Sequence, residues 1–215
     1  MMPSNDKPLL VIGAGGHAKV LVGALLRLGL PIRGLLDADP ARRGGKLLGL
    51  PVLGGDEQLE GADPSSLLLV NGLGSVALPL ARQRLFERLS AKGYHFASVI
   101  DPAAFVSPDV DLAEGVQVMA GAVVQPGCRL NANCIVNSRA SLDHDCSIGA
   151  HSHVAPGAVL SGEVRLGEGS HIGTGAVVIQ GRSIGAGCLV AAGAVVVRDV
   201  PAGARVAGLP ARPMA

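Results

Sequence analysis

Aromatic side chains are scarce in this chain, whose 215 residues include three Phe, one Tyr and no Trp. A core of ordinary size takes much of its bulk from aromatic rings, so we expect this core to be built from Val, Ile, Leu and Ala. Charged residues are also few, at 16%, and the 18 basic and 17 acidic side chains nearly cancel. This balance provides no basic surface for nucleic acid or anionic lipid.

Long apolar runs are missing as well. The best candidate for a membrane span, residues 67–81, is interrupted by an asparagine, two glycines and a proline, whereas a span needs about 20 apolar residues. The apolar run at residues 9–12 is too short for a signal peptide. The sequence therefore predicts a soluble, cytoplasmic protein with no membrane partner.

Aliphatic residues recur at every sixth position through the second half of the chain. The period runs from Val106 to Val196 without a slip, and the residue four places after each aliphatic is small, with Arg182 as the exception. A period of six fits neither a helix nor a simple strand alternation. It fits a chain that turns a corner every six residues, so that three sides form an 18-residue coil and stacked coils pair as parallel strands.

The four cysteines all occupy the small-residue position of this repeat, at Cys128, Cys134, Cys146 and Cys188. That position is expected to lie inside the coil. We therefore interpret the cysteines as small buried hydrophobic residues, and not as disulfide partners, metal ligands or redox centres.

The first hundred residues have a different pattern, in which short apolar runs alternate with helical patterns. Strands are predicted at residues 9–13, 32–37, 66–71 and 96–100, with a minor strand near 51–53, and helices at 17–28 and 76–92. Such alternation indicates a parallel sheet and a small Rossmann-like α/β domain. We predict two domains, an α/β domain at residues 1–102 and an all-β coil domain with a C-terminal cap at 103–215.

Three loops are expected to meet at the carboxyl edge of the predicted sheet. A glycine-rich turn at residues 13–17 joins the first strand to a helix, Asp37 ends the second strand, and Gly72 and Gly74 follow the third. Ligands of open parallel sheets bind at this edge, and glycines let backbone amides approach a pyrophosphate. The sequence predicts a nucleotide site here, with NAD binding or a tight turn without a ligand as alternatives.

His144 lies between Asp143 and Asp145 at turn positions of the repeat, where side chains should point outward toward a cleft or a neighbouring subunit. A carboxylate beside an imidazole raises its base strength. His144 is therefore a candidate general base, and a solvated polar turn is the alternative.

Two further histidines, His153 and His171, are 18 residues apart and should stack on successive coils. Zinc prefers three or four well-placed ligands. A zinc site built from these two residues with His144 and His151 is therefore a minority alternative.

The glycine-rich turn ending in His17, the short nucleotide-binding half and the coil domain carrying His144 followed by an acid together resemble the bacterial nucleotide-sugar N-acetyltransferases of the left-handed β-helix, or hexapeptide-repeat, family. The resemblance covers residues 9–214, and its most specific motif lies in residues 137–162. It implies a left-handed coil, acetyl-CoA as co-substrate, no metal, and a role in glycan biosynthesis. It also implies a homotrimer with CoA between adjacent β-helices.

The resemblance also assigns roles to individual residues. His144 matches the catalytic base, and Asp145 stands where the family usually has Glu; Ala38 stands where the family often has a second acid. The positions that match nucleotide-sugar contacts are Gly15, Gly16, His17, Asp37 and Gly74. The positions that match acetyl-CoA contacts are His153, Gly162, Thr174 and Ala192.

The activity implied is acetyl transfer from acetyl-CoA to the 4-amino group of a nucleotide-linked 4-amino-4,6-dideoxy sugar, with GDP-perosamine favoured over UDP- or dTDP-linked sugars. His144 would act as general base in a direct attack on the thioester, with its ring oriented by Asp145 or Asp143. The alternatives are O-acetylation of a sialic-acid-type sugar, a zinc-dependent hydratase like the γ-carbonic anhydrases, and a trimeric scaffold with a regulatory nucleotide site.

Overall fold

The computed structural model describes residues 7–214, which form two α-helices, three short 3-10 helices and 24 strands. The N-terminal elements are β1 (Leu9–Ile12), α1 (Gly16–Arg27), β2 (Ile32–Leu36), β3 (Lys46–Leu47), β4 (Leu50–Gly54), β5 (Leu68–Asn71) and α2 (Leu80–Ser90). The 3-10 helices are Pro40–Arg42, Asp56–Leu59 and Pro64–Ser66.

The remaining strands are short and evenly spaced. They are β6 (Val99–Ile100), β7 (Phe105–Val106), β8 (Asp111–Leu112), β9 (Gln117–Val118), β10 (Val123–Val124), β11 (Arg129–Leu130), β12 (Ile135–Val136), β13 (Ser141–Leu142), β14 (Ser147–Ile148), β15 (His153–Val154), β16 (Val159–Leu160), β17 (Arg165–Leu166), β18 (His171–Ile172), β19 (Val177–Val178), β20 (Ser183–Ile184), β21 (Leu189–Val190), β22 (Val195–Val196), β23 (Arg205–Ala207) and β24 (Arg212–Pro213).

The N-terminal sheet has the order β3-β4-β2-β1-β5, and all of its pairs are parallel except the β3–β4 hairpin. Successive residues of a strand point to opposite faces, and β1 is buried on both. Leu9 and Val11 pack in the cluster that contains the inner face of α1, while Leu10 and Ile12 pack with Phe86 of α2. The predicted α/β arrangement is confirmed, with one helix layer on each face.

Two predicted boundaries in this half are wrong. Helix α2 begins at Leu80 and not at residue 76, because Pro79 lacks an amide and clashes inside a helix. The strand expected at residues 96–100 is divided: Phe96 bridges to Leu69 of the N-terminal sheet, whereas β6 pairs with β9 of the coil. The boundary between residues 102 and 103 stays a prediction.

The repeat forms a three-sided parallel coil. Its three sheets have the orders β7-β10-β13-β16-β19-β22, β8-β11-β14-β17-β20 and β6-β9-β12-β15-β18-β21-β23-β24. Each residue pairs with the residue 18 places later, as Leu142 does with Leu160. The sixteen aliphatic repeat positions all belong to one core or pack against it, which confirms the predicted coil.

The cysteines are free and buried, and their position in the corners explains the residue type. The thiol of Cys128 donates to the carbonyl of Asp143 at 3.1 Å, and that of Cys146 donates to the carbonyl of Ser161 at 3.2 Å. A thiol therefore fills the narrow corner and satisfies a carbonyl of the next coil. Arg182, the exception to the rule of small residues, turns outward to within 3.6 Å of Asp199.

A buried arginine on α2 joins the two halves. Nη1 of Arg82 donates to the carbonyls of Asn71 and Leu73, both at 2.8 Å, and Nε donates to the carbonyl of Asn133 in the coil at 3.1 Å. Complete burial lowers the pKa of this guanidinium to about 9, so it is still charged at neutral pH. The loop after β5 is thereby held against the coil.

Within residues 7–214, neither helix has the length and apolar character that crossing a membrane requires.

The aliphatic column makes a measurable contribution to stability. Leu160 is fully buried in the column, and truncating such a leucine leaves a cavity in rigid surroundings. We expect Leu160→Ala to lower the free energy of unfolding by about 2–5 kcal/mol, measured by denaturant titration at one protein concentration. Leu26→Ala, on the half-exposed side of α1, is the control, and equal losses in the two variants would contradict the single-column core.

Candidate active site

A cleft of about 1100 Å³ lies between the carboxyl edge of the N-terminal sheet and the coil. The three loops that sequence reasoning placed at this edge all line it. The predicted contacts in the cleft are Gly15, Gly16, His17, Asp37 and Gly74. The coil closes the opposite side with Asn137, Ser138, His153 and Pro156.

The glycine-rich turn offers open backbone to the cleft. Helix α1 begins at Gly16, and Gly15 at its N-cap provides no side-chain cap for the first amides, which therefore need an outside partner. A Cβ at Gly15 or Gly16 would meet nothing within 4 Å. Packing does not require glycine at these two positions, and the missing side chains leave the cleft open beside them.

His17 is a neutral link between the two halves. Its Nε2 lies 2.8 Å from Oε1 of Gln117 in the coil, and the Gln117 amide donates to the carbonyl of Asn71 at 2.8 Å. The nitrogen of the Gln117 amide faces the Asn71 carbonyl, so its oxygen faces His17; because that oxygen can only accept, His17 must carry its proton on Nε2. Burial, reinforced by the positive charge of Arg82, lowers the pKa of His17 to about 4.

Asp37 is fixed at the end of β2 by backbone amides. Oδ2 accepts from the amide of Ala14 at 2.6 Å, and Oδ1 accepts from the amide of Asp39 at 2.9 Å. Its neighbour Ala38 also lines the cleft. Asp37 is therefore the acid at the end of β2, as the sequence indicated, and Asp56 lines the same cleft.

Sequence reasoning missed the basic residues that α2 brings to the cleft. Arg84 and Arg88 both line it, as residues four apart on one helix face do. Arg88 pairs with Asp56, whereas Arg84 has no acidic partner within residues 7–214. The spacing was visible in the sequence, but only the packing of α2 shows which face meets the cleft.

His144 and Asp145 form an exposed pair outside the cleft, at the corner that follows β13. Nδ1 of His144 lies 2.8 Å from Oδ2 of Asp145, and the His144 amide donates to Oδ1 of Asp143 at 2.9 Å. Asp145 has a left-handed backbone with φ +59° at a corner position where two other coils carry Gly127 and Gly181. Aspartate tolerates this conformation better than most residues, and Asp145, not Asp143, contacts the ring.

Two glycines of neighbouring coils make room for this pair. A Cβ at Gly162 would overlap the imidazole of His144, and a Cβ at Gly127 would overlap the carboxylate of Asp145. Gly162, a predicted acetyl-CoA position, therefore lies against the candidate base. The hydrogen bond to Asp145 raises the pKa of His144, and the charges of Asp143 and Glu163 raise it further.

The other predicted acetyl-CoA positions lie along a different corner. Thr174 and Ala192 are exposed on successive coils, in the column that begins with Ser138 and Pro156 at the cleft. We call the turns after β12, β15, β18 and β21 the cleft corner, and the turns after β13, β16 and β19 the histidine corner. In a single chain, the side of the three-sided coil that begins with β7 separates these two corners.

His153 belongs to the cleft wall and meets His171 edge to face, with ring centroids 4.9 Å apart. Both of its nitrogens have partners: Nδ1 lies 2.8 Å from Ser75 Oγ and Nε2 lies 3.0 Å from Asn137 Nδ2. Across residues 7–214, no three His, Cys, Asp or Glu side chains converge as metal ligands would. The four histidines of the zinc alternative are not brought together.

Known proteins share both halves of this architecture. The family model described as PglD N-terminal domain matches residues 8–89. The acetyltransferase domain of PglB from Neisseria gonorrhoeae FA1090, also solved with acetyl coenzyme A, is 40% identical with a TM-score of 0.89 over 97% of this chain and 100% of that chain. PerB from Caulobacter crescentus, in complex with CoA and GDP-perosamine, is 39% identical with a TM-score of 0.89 over 97% of each chain.

A more distant structure, WeeI from Acinetobacter baumannii AYE, is 26% identical with a TM-score of 0.80 over 97% of this chain and 100% of that chain. Among curated proteins, the redox-sensing transcriptional repressor Rex of Streptomyces avermitilis is 30% identical over 126 residues. That match spans 54% of this chain and 48% of Rex, so the chain covers about half the length of this relative.

The architecture is a left-handed parallel β-helix preceded by a Rossmann-like half, and it defines an acyltransferase of the hexapeptide-repeat class. Within that class, the chain belongs to the bacterial sugar N-acetyltransferase family that includes the PglB acetyltransferase domain and PerB.

The dependence of His144 on its neighbour can be measured directly. We expect Asp145→Asn, which keeps a residue suited to the left-handed backbone, to lower the pKa of His144, because the imidazolium loses a charged acceptor. An NMR titration of the imidazole would report the change. Asp199→Asn is the control on a distant turn, and an unchanged His144 pKa in Asp145→Asn would contradict the pairing.

Proposed function

We propose that this protein transfers the acetyl group of acetyl-CoA to the 4-amino group of a nucleotide-linked 4-amino-4,6-dideoxy sugar, with GDP-perosamine as the first candidate. The observation that carries the proposal is the combination of an open cleft with an exposed His–Asp pair, in a chain that matches PerB over 97% of its length. PerB was crystallised with CoA and GDP-perosamine.

The cleft has the chemistry that a nucleoside diphosphate requires. The amides at the start of α1, which have no side-chain cap, face the same space as Arg84, which has no acidic partner within residues 7–214. Both favour phosphate oxygens. Asp37 is held by backbone amides at the end of β2, where a carboxylate can accept from ribose hydroxyls or a base edge. Gly74 lets the loop after β5 pack closely against α1, since a Cβ there would lie 3.0 Å from the Cβ of His17.

One face of the three-sided coil is suited to self-association. The outward residues of the sheet that begins with β7 are nearly all apolar, and we call this sheet the valine face: Phe105, Val123, Ser141, Val159, Val177 and Val195. Phe105 is 53% exposed and Val159 is 40% exposed. Exposed apolar patches of this kind mark association sites, and we propose that three copies meet here around a three-fold axis.

Such packing would complete the active site. The valine face is bordered by the cleft corner on one edge and the histidine corner on the other, so a cyclic trimer places the histidine corner of one copy beside the cleft corner of the next. His144 and Gly162 would then face the Thr174 and Ala192 column and the cleft of the neighbouring copy. Acetyl-CoA would lie in the seam between them.

The chemistry follows from the free nitrogen of His144. Asp145 occupies Nδ1, which leaves Nε2 to accept a proton from the sugar amine as its nitrogen attacks the thioester carbonyl. The carbon–sulfur bond then breaks, the amide forms, and the proton on Nε2 passes to the departing CoA thiolate. The carboxylate of Asp145 stabilises the transient imidazolium, so acid, base and electrons balance without an acyl-enzyme.

The activity is tested by thiol release from acetyl-CoA against GDP-, UDP- and dTDP-linked 4-amino sugars. We expect turnover with one of them and a loss of about 10²-fold or more in kcat for His144→Asn, with little change in KM. His95→Asn, an exposed histidine of the N-terminal half, is the control. Near-normal turnover in His144→Asn would remove it as the base, and a product cleaved by hydroxylamine would indicate the O-acetyl alternative.

The shared site predicts complementation between two inactive variants. His144→Asn removes the base, and Gly15→Phe fills the open cleft without a clash at its Cβ. If base and cleft come from different copies, random mixed trimers of the two variants regain about a quarter of the wild-type sites. Co-expression followed by the thiol assay measures this, with each variant alone as the control, and no recovery would place both groups on one chain.

A further inference from the structure

We propose that Ser75 is a positioning residue that fastens the third cleft loop to the coil through a directed chain of hydrogen bonds running Asn137–His153–Ser75–His171. The inference deepens the proposed function, because the loop it holds contains Gly74 and borders the proposed nucleotide-sugar site. It gives His153 a role different from polar contact with acetyl-CoA, since neither of its ring nitrogens is free.

The donor and the acceptor of each hydrogen bond in this series follow from the orientation of the Asn137 side chain. The amide of Ser138 donates to Oδ1 of Asn137 at 2.8 Å, so the Asn137 side chain presents its Nδ2 protons to Nε2 of His153 at 3.0 Å. His153 must therefore accept on Nε2 and carry its proton on Nδ1. That proton is donated to Ser75 Oγ at 2.8 Å.

The second half of the chain is fixed in the same way. Ser75 Oγ already accepts from His153, and its own proton can go to Nδ1 of His171 at 3.3 Å. His171 then accepts on Nδ1 and carries its proton on Nε2. The two neighbouring histidines are thus held in opposite tautomers by a single hydroxyl between them.

Both imidazoles must be neutral for these hydrogen bonds to form, because each ring accepts on one nitrogen and a protonated imidazole has no acceptor nitrogen. The environment favours that state. Burial, with the nearby His171, His17 and Arg82, lowers the pKa of His153 to about 3, and burial lowers the pKa of His171 as well.

The place of Ser75 in the loop explains why its hydroxyl matters. On one side, Leu73 is held by Arg82; on the other, Val76 is 99% exposed, and the chain re-enters regular structure only at Leu80. Ser75 is the last point at which this loop is tied to the coil before α2. Because Asn137 and His153 line the opposite wall, the Ser75 bond sets the separation of the two cleft walls.

The test combines tautomer spectra with kinetics on the full chain. Long-range proton–nitrogen NMR at neutral pH should show His153 protonated on Nδ1 and His171 on Nε2, with assignments from single His→Gln variants. Ser75→Ala should remove the preference of His171 and raise the KM for the nucleotide sugar about tenfold, the effect expected when a buried donor loses its acceptor. The KM for acetyl-CoA should change little, and Ser75→Thr, which keeps the hydroxyl, should restore both readouts.

Ser147→Ala, on another sheet of the coil, is the matched control and should change neither measurement. Identical tautomers in His153 and His171, or a Ser75→Ala enzyme with an unaltered sugar KM, would overturn the proposal. If no amino-sugar nucleotide is turned over, the proposed function fails separately, and the tautomer pair still decides whether the chain exists.

Discussion

The structure depends on a single packing constraint, the stacking of one aliphatic side chain per six residues inside a narrow three-sided coil. Because each inward residue sits directly over the one 18 places earlier, the backbone of every coil is fixed by parallel pairing with its neighbours. Corner residues that are 18 positions apart therefore lie above one another in columns. A polar residue placed at a corner acquires a defined position relative to every other corner, and His144, Gly162 and the Thr174–Ala192 column use this regularity.

The rigid coil also serves as the second wall of the cleft. The N-terminal sheet contributes loops, which are mobile when unsupported. Gln117 and His153 of the coil hold these loops directly, and Arg82 of α2 joins them to the carbonyl of Asn133 in the coil. Three histidines of the site differ in their electrostatic surroundings. His17 and His153 have lowered pKa values and are hydrogen-bonded across the junction of the two halves, whereas His144 is exposed, paired with Asp145 and more basic than an ordinary histidine. Of these three, His144 is the one suited to taking a proton from an amine.

Much of this was predictable from sequence, because the repeat and the strand-loop patterns are local signals. The period of six located the sixteen aliphatic positions and the buried cysteines, and the glycine-rich turn and Asp37 located the cleft. The division of residues 96–100 between two sheets was not predictable, because it depends on which partner strand lies nearer. The same limit applies to Arg82 and Arg84. A charged side chain is expected to face solvent, and only the packing of α2 buries Arg82 and turns Arg84 toward the cleft. His153 is hydrogen-bonded at both ring nitrogens, and this could not be predicted either, because one partner is Ser75, 78 residues away along the chain.

The central claim is that His144 of one copy acts on a sugar held in the cleft of the next. A crystal structure of the protein with CoA and a 4-amino-sugar nucleotide tests it most directly. We expect a three-fold assembly through the valine face, with Nε2 of His144 about 3 Å from the amino nitrogen of the sugar bound by the adjacent copy. A sugar amine that lies against its own chain's coil, with His144 facing solvent, would contradict it.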